Sequence, residues 1–93
     1  MIRSFKDKRT AALYRSRQGK GFPADIVERA RGKLAAVNAA NFVDDLRVPP
    51  SNHLEQLKGD RAGQYSIRIN DRWRICFRWD DGDAVDVEIC DYH

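Results

Sequence analysis

Arginines in the last third of the chain fall on the polar positions of an alternating pattern. Arg68 and Arg74 stand at matching polar positions on the two arms of one hairpin, and Arg78 continues the series. Lys58 and Arg61 lie at the mouth of the same face. A guanidinium is a planar fork of donors that matches a phosphate, so this set fits an RNA or DNA backbone. Cross-strand ion pairs are the competing use of the same charges. Asp86 and Glu88 share the face on the following strand, and Arg78 is expected to spend its charge on them. The chain then runs into Asp91-Tyr92-His93, groups able to accept a proton, stack on a base and move protons near neutral pH. His53, in a loop before the sheet, is a minor candidate. Cys76 and Cys90 have neither CxxC nor zinc spacing and read as packed free thiols, so no metal is expected. No GxxxxGK[ST], HExxH, GxSxG or GxGxxG is present, which argues against nucleotide hydrolysis, zinc peptidase, serine hydrolase and dinucleotide chemistry.

The elements that must carry these groups follow from periodicity. Tyr65, Ile67 and Ile69 alternate with Gln64, Ser66 and Arg68. Trp73, Ile75, Phe77 and Trp79 alternate with Arg74, Cys76 and Arg78, and Val85, Val87 and Ile89 with Asp86, Glu88 and Cys90. A period of two in successive runs predicts strands buried on one face. Trp73, Ile75 and Phe77 should be buried and Arg74 accessible. Asn70-Asp71-Arg72 and Asp80-Asp81-Gly82-Asp83 read as hairpin connections, Lys58–Gly63 as a turn, and Leu54–Leu57 as a strand entering the sheet.

Upstream, Met1–Phe5 reads as a short first strand. Asp7 or Thr10 is placed to cap a helix running to about Gln18, closed by Gly19 and Gly21. Pro23 suits the first turn of a second helix, whose apolar stripe is Ile26, Val27, Ala30, Leu34 and Val37. Asn41 is placed to cap a last short turn with Phe42, Val43 and Leu46 as its contacts, before Pro49 and Pro50 stop it and Ser51–His53 form a loop. The expected architecture is a two-layer α+β domain spanning 1–93. Two N-terminal helices cover the apolar face of a small, antiparallel-dominated sheet.

With 93 residues, 42% hydrophobic and 33% charged, the composition is that of one ordinary globular domain. No apolar run reaches transmembrane length and the first ten residues lack a secretory core, so no membrane partner and a cytoplasmic location are expected. The net charge of +3 is unevenly spread. Arg3, Lys6, Lys8, Arg9, Arg15, Arg17 and Lys20 face only Asp7 in the first segment, which suits a polyanionic partner.

The stretch HLEQLKGDRAGQYSIRINDRWRICF at 53–77, with VEICDYH at 87–93 and the opening MIRSF, resembles the HigB-type toxins of the RelE/ParE superfamily. The resemblance covers the whole chain. It implies a RelE-like fold, a toxin of a type II toxin–antitoxin pair, and cleavage of mRNA in the ribosomal A site by the RNA's own 2′-hydroxyl, without metal or cofactor. In that pattern Lys58 assists the hydroxyl or the phosphate and Arg74 stabilises the pentavalent phosphate. Asp91, Tyr92 and His93 form the functional tail. Some members carry His where this chain has Glu55, and Glu55 is then a base in its own right, with His53 two positions earlier. Lys6, Lys8 and Arg9, with Arg29, Arg31 and Lys33 of the second helix, are expected to grip 16S rRNA, while Arg61 and Arg68 join the face that takes mRNA. The expected partner is a helix-turn-helix antitoxin of the HigA type, through which alone operator DNA is contacted. Two other readings stay open: a non-enzymatic ParE-like inhibitor of DNA gyrase, for which a protic tail has no use, and a weakly active toxin serving mainly as corepressor.

Overall fold

A computed structural model describes residues 1–91. The first helix, α1 (Lys8–Ser16), starts where the Asp7 carboxylate accepts the Thr10 N–H at 3.2 Å. It ends two residues before the expected stop. Arg17 takes a left-handed conformation (φ 58°) and its N–H closes back on the Ala12 carbonyl, so the glycines follow the cap instead of forming it. Thr10 has another task. It is fully buried, and its hydroxyl accepts the Ile89 N–H at 3.1 Å, which ties α1 to the last strand.

The second helix, α2 (Val27–Ala39), is entered through a single 3-10 turn at Ala24–Ile26 behind Pro23. Ala30, Leu34 and Val37 are fully buried. Full burial of a Val or Leu side chain contributes roughly 1.5–3 kcal/mol, which is what holds this helix on the sheet. A 3-10 turn at Val43–Arg47 follows. Its start is satisfied by the Asp45 carboxylate, which accepts the N–H groups of Asn41 and Phe42 at 3.0 Å. Asn41 is therefore not the cap. Phe42 is exposed, and Leu46 alone of the expected contacts is fully inserted. Pro50–Asn52 form another 3-10 turn where a loop was expected, with Asn52 buried and donating to the Leu46 and Val48 carbonyls.

Four antiparallel strands follow in the order of the sequence: β1 (Glu55–Gln56), β2 (Gln64–Arg68), β3 (Trp73–Asp80) and β4 (Asp83–Asp91). The β3–β4 turn places Asp81 and Gly82 at φ 51° and 83°, the paired positive dihedrals that an Asp-Gly hairpin supplies. The N-terminal segment is not a full strand. Ile2 and Phe5 make isolated parallel bridges to Ala84 and Val87 on the outer side of β4.

That contact coincides with a departure from simple alternation. Between Cys76 and Arg78 the β3–β4 register shifts, and Asp86 takes φ 52°. A bulge inserts one unpaired residue, so parity changes across it. Ala84, not Val85, consequently occupies the core position, while Val85 lies opposite Arg78. Ile67, Ile75, Phe77, Val87 and Ile89 form the sheet's contribution to a core shared with Leu13, Ile26 and the α2 stripe. No described helix is long and apolar enough to cross a membrane.

Candidate active site

The face of the sheet turned away from the helices is ordered in rows by the strand register. Glu55 pairs with Ser66, Ser66 with Cys76, and Cys76 with Glu88; in the neighbouring row Arg68 pairs with Arg74, and Arg74 with Cys90. Because directly opposed residues point the same way, these side chains share one surface. Its floor is a small buried cluster of Leu57, Cys76 and Cys90, beside buried Ser66. Both thiols are free. The two thiols shift in opposite directions: contact with Cys76, burial and the Glu88 carboxylate push Cys90 up, while the contact with Cys90 and the charges of Arg61 and Arg74 pull Cys76 down.

Arg74 lies across that floor from β3 toward β1. Its Nη1 donates to the Ser66 hydroxyl at 2.8 Å and to the His53 carbonyl at 3.4 Å, and its Nη2 to the Glu55 carboxylate at 3.2 Å. The side chain is only 13% exposed. The register is as expected, but the arginine is more enclosed than a solvent-facing residue would be, because Ser66, Glu55 and the His53 backbone wrap it. Trp73, in turn, is half-buried. His53 reaches this position with φ 46°, so its backbone carbonyl serves the site.

Lys58 is exposed and begins the 3-10 turn Gly59–Arg61 that follows β1. Arg61, from the same turn, donates to Glu88 at 2.9 Å and to Gln64 at 3.2 Å, spanning the sheet from the β1 side to β4. The hydrogen bond to Glu88 holds the Arg61 guanidinium above its ordinary value despite burial. For Glu88, burial pushes upward, but hydrogen bonds from Cys90 and Arg61 and the charge of Lys6 at 3.8 Å outweigh it and leave the carboxyl below the usual range. Arg78 pairs with Asp86 at 4.0 Å. At the far end of β4 the Asp91 carboxylate is gripped by Arg72, Nε and Nη2 each donating at 2.8 Å.

The HigB-like toxin family model, described as the RelE-like toxin of a type II toxin–antitoxin system, matches residues 3–93. This chain belongs to that family. It is 38% identical to "Endoribonuclease HigB" of Proteus vulgaris, over the full length of both chains. It is 37% identical to "Toxin HigB-1" of Vibrio cholerae, over 94% of this chain and 93% of the relative. In three dimensions it resembles the toxin–antitoxin complex "YoeB-YefM complex from Staphylococcus aureus", with a TM-score of 0.63 and 20% identity over 100% of this chain and 98% of that one. The fold is thus the expected RelE-like α+β arrangement.

For a HigB-like chain the geometry sorts the basic residues into separate groups. Glu55, Lys58, Arg61, Arg68 and Arg74 come together on or beside the sheet face, and Lys6 reaches its margin through Glu88. Arg68 is paired with the exposed Asp71 of its own hairpin. Lys8 and Arg9 belong to the helical side, where with Ala12, Gln18, Lys20 and Gly21 they line a cleft of about 390 Å³. Arg29 is exposed on α2. Arg31 and Lys33 are committed within the fold: Arg31 donates to the Leu13 and Tyr14 carbonyls at 3.2 Å, and Lys33 to Asn52. Burial, with the charge of Arg29 alongside, lowers the Lys33 ammonium from its ordinary value. Tyr92 and His93 lie outside the described residues. Two residues that sequence reasoning passed over belong to the site. Ser66 was visible as the polar neighbour of Arg68 on one strand but was read only as a spacer; Arg72 was absorbed into a hairpin connection.

Proposed function

We propose that this HigB-like toxin is a ribosome-dependent mRNA endoribonuclease that stops translation and growth. The observation that carries the reading is Arg74, a permanent cation held by Ser66, Glu55 and the His53 carbonyl on a face rimmed with Lys58, Arg61 and Arg68. Such a group is fixed before the substrate arrives, and a pre-oriented donor costs no reorganisation as charge develops on a phosphate. The name of the Proteus relative supports an endoribonuclease, and that of the Vibrio relative a toxin.

In this reading the scissile phosphate takes Glu55's place against Arg74. The released carboxylate accepts the proton of the RNA 2′-hydroxyl, whose oxygen attacks the adjacent phosphorus. Lys58 and Arg74 neutralise the pentavalent phosphate. The 5′-oxygen leaves with a proton from the tail, where His93 is the donor and Tyr92 orients a base, and a 2′,3′-cyclic phosphate remains. Every atom comes from RNA and side chains, so no metal or cofactor is required. The exposed cations of α1 and Arg29 contact 16S rRNA, which places the protein in the cytoplasm. A helix-turn-helix antitoxin of the HigA type silences it and supplies the operator contacts.

Primer extension on mRNA translated in an extract tests this. Wild-type protein is expected to cut within codons at the A site, and Arg74→Ala to cut about 10²–10³-fold more slowly at unchanged melting temperature. Full cutting by Arg74→Ala, or inhibition of gyrase supercoiling in place of mRNA cleavage by the wild type, sinks the assignment.

A further inference from the structure

We propose that Glu88 is a positioning residue that acts through Arg61: together they fix against the sheet the turn that carries Lys58. The inference rests on the nuclease reading above, in which Lys58 meets the phosphate. Lys58 is exposed and stands at the entry of the 3-10 turn Gly59–Arg61, just beyond the two residues of β1. A lysine is a point charge on a flexible four-carbon stem, so its placement depends on the backbone it leaves. That backbone is held on both sides. Before Lys58, the Leu57 side chain packs into the floor with Cys76 and Cys90, and the Leu57 N–H donates to the Gln64 carbonyl at 2.8 Å. After it, the Arg61 N–H closes on the Lys58 carbonyl at 3.3 Å. The Arg61 guanidinium then reaches across to Glu88 on β4 at 2.9 Å and donates to the Gln64 side chain at 3.2 Å on the way.

Glu88 suits the fixed end of this tie. It lies directly opposite Cys76 in the β3–β4 ladder, and its side chain is only 15% exposed, against 35% for Arg61. The oxygen that meets Arg61 also accepts from the Cys90 thiol at 3.0 Å, and the other oxygen faces Lys6 at 3.8 Å. A carboxylate on a face that takes RNA repels phosphate, and both oxygens of this one are already engaged by the protein. What its charge does instead is hold Arg61, through a charge-assisted hydrogen bond that is strong as well as directional. A misplacement of about 1 Å in a group that meets the reacting phosphate can cost on the order of 10²-fold in rate.

The test compares purified wild type, Glu88→Ala, Glu88→Gln, Arg61→Ala and the Arg61→Ala/Glu88→Ala double variant. Single-turnover mRNA cleavage on programmed ribosomes, over a range of toxin concentrations, gives a saturated rate and a half-saturating concentration. It is run at a temperature where circular dichroism shows every variant folded. Hydrogen exchange is read at the Arg61 and Ala62 amides, which close the turn, and at the Ile69 and Val87 amides, which belong to the sheet. Glu88→Ala should lower the saturated rate at least about tenfold, with half-saturation no higher and exchange faster at Arg61 and Ala62 only. Glu88→Gln keeps an acceptor for Arg61 without the charge and should recover part of the rate. The double variant should be no slower than the slower single one, since either loss opens the same tie. The proposal is overturned by an unchanged saturated rate, by a change in half-saturation alone (Glu88 then only tunes the charge that RNA meets), by multiplicative losses in the double variant, or by exchange that quickens equally at all four amides. A wild type that cuts no mRNA removes the nuclease reading instead; faster exchange confined to the turn then sustains the tie, and unchanged exchange there overturns it.

Discussion

At the scale of single residues, Arg74 shows how one side chain can be legible in type and face yet illegible in environment. Alternation along Trp73–Trp79 gave its face, because β3 pairs with β2 without interruption there. It could not give its enclosure, which depends on β1 arriving from elsewhere in the chain with Glu55 and the His53 carbonyl. Ser66→Ala removes one of the acceptors that hold the guanidinium. A single such hydrogen bond is worth roughly 1 kcal/mol, so cleavage should fall about fivefold with little change in stability. Cleavage rate and urea midpoint, measured on the same preparation, check both halves of that expectation. Glu88 makes a different demand. Its carboxyl is depressed in the folded protein, so its contribution is present above the unfolded carboxylate value and is lost as pH falls through the folded one. Glu88→Gln should therefore be less stable than wild type at neutral pH, by on the order of 1 kcal/mol. The gap should narrow in acid below the usual carboxylate range. A gap independent of pH would show that Glu88 acts through packing instead of charge.

At the scale of elements, the helices and strands were readable wherever a period ran unbroken, and the errors fall where tertiary contacts redirected the chain. Thr10 had the right chemistry for a cap and sat near the right place, but the Ile89 N–H claimed its hydroxyl, leaving Asp7 to begin α1. Val85 was assigned to the core by parity, and the bulge at Asp86 moved Ala84 there instead. No local residue type announces that bulge. It coincides with the parallel docking of Met1–Lys6, whose Ser4 hydroxyl accepts the Asp86 N–H at 2.9 Å. Thr10→Val is a near-isosteric test of the helix-to-strand tie. It strands a buried Ile89 N–H and should cost about 1–3 kcal/mol, measured as a shift in the urea midpoint, while the helical circular dichroism signal persists. A loss below about 0.5 kcal/mol would mean that the amide finds another acceptor.

At the scale of the whole molecule, the helical layer and the outer face of the sheet are separable in what they need. Among the described residues the last member of the core is Ile89, and the last of the small outer cluster is Cys90. Deleting Tyr92 and His93 should accordingly leave the melting temperature within a few degrees of wild type while mRNA cutting is lost. General acid–base assistance contributes roughly 10²–10⁴-fold. A stable truncated protein that still cuts would transfer proton handling to Glu55 or Lys58. The two-layer arrangement was legible because the apolar stripe of α2 and the apolar parity of three strands have only each other to cover. The division of the basic residues was not. Arg31 and Arg29 look equivalent in sequence, yet one closes onto the carbonyls of α1 and the other projects outward.

The docking of Met1–Lys6 beside β4 has a consequence for what the molecule does in company. A β-sheet ends in rows of amide groups that can recruit a strand from a second copy, the first step toward fibrils. Here one flank is only the two residues of β1, too short to template a neighbour. Along the other, backbone bonds between the N-terminal segment and Ala84 and Val87 take up the outward-facing groups of the middle of β4. The first six residues thus act as a selvedge, a woven border that keeps the fabric from being extended.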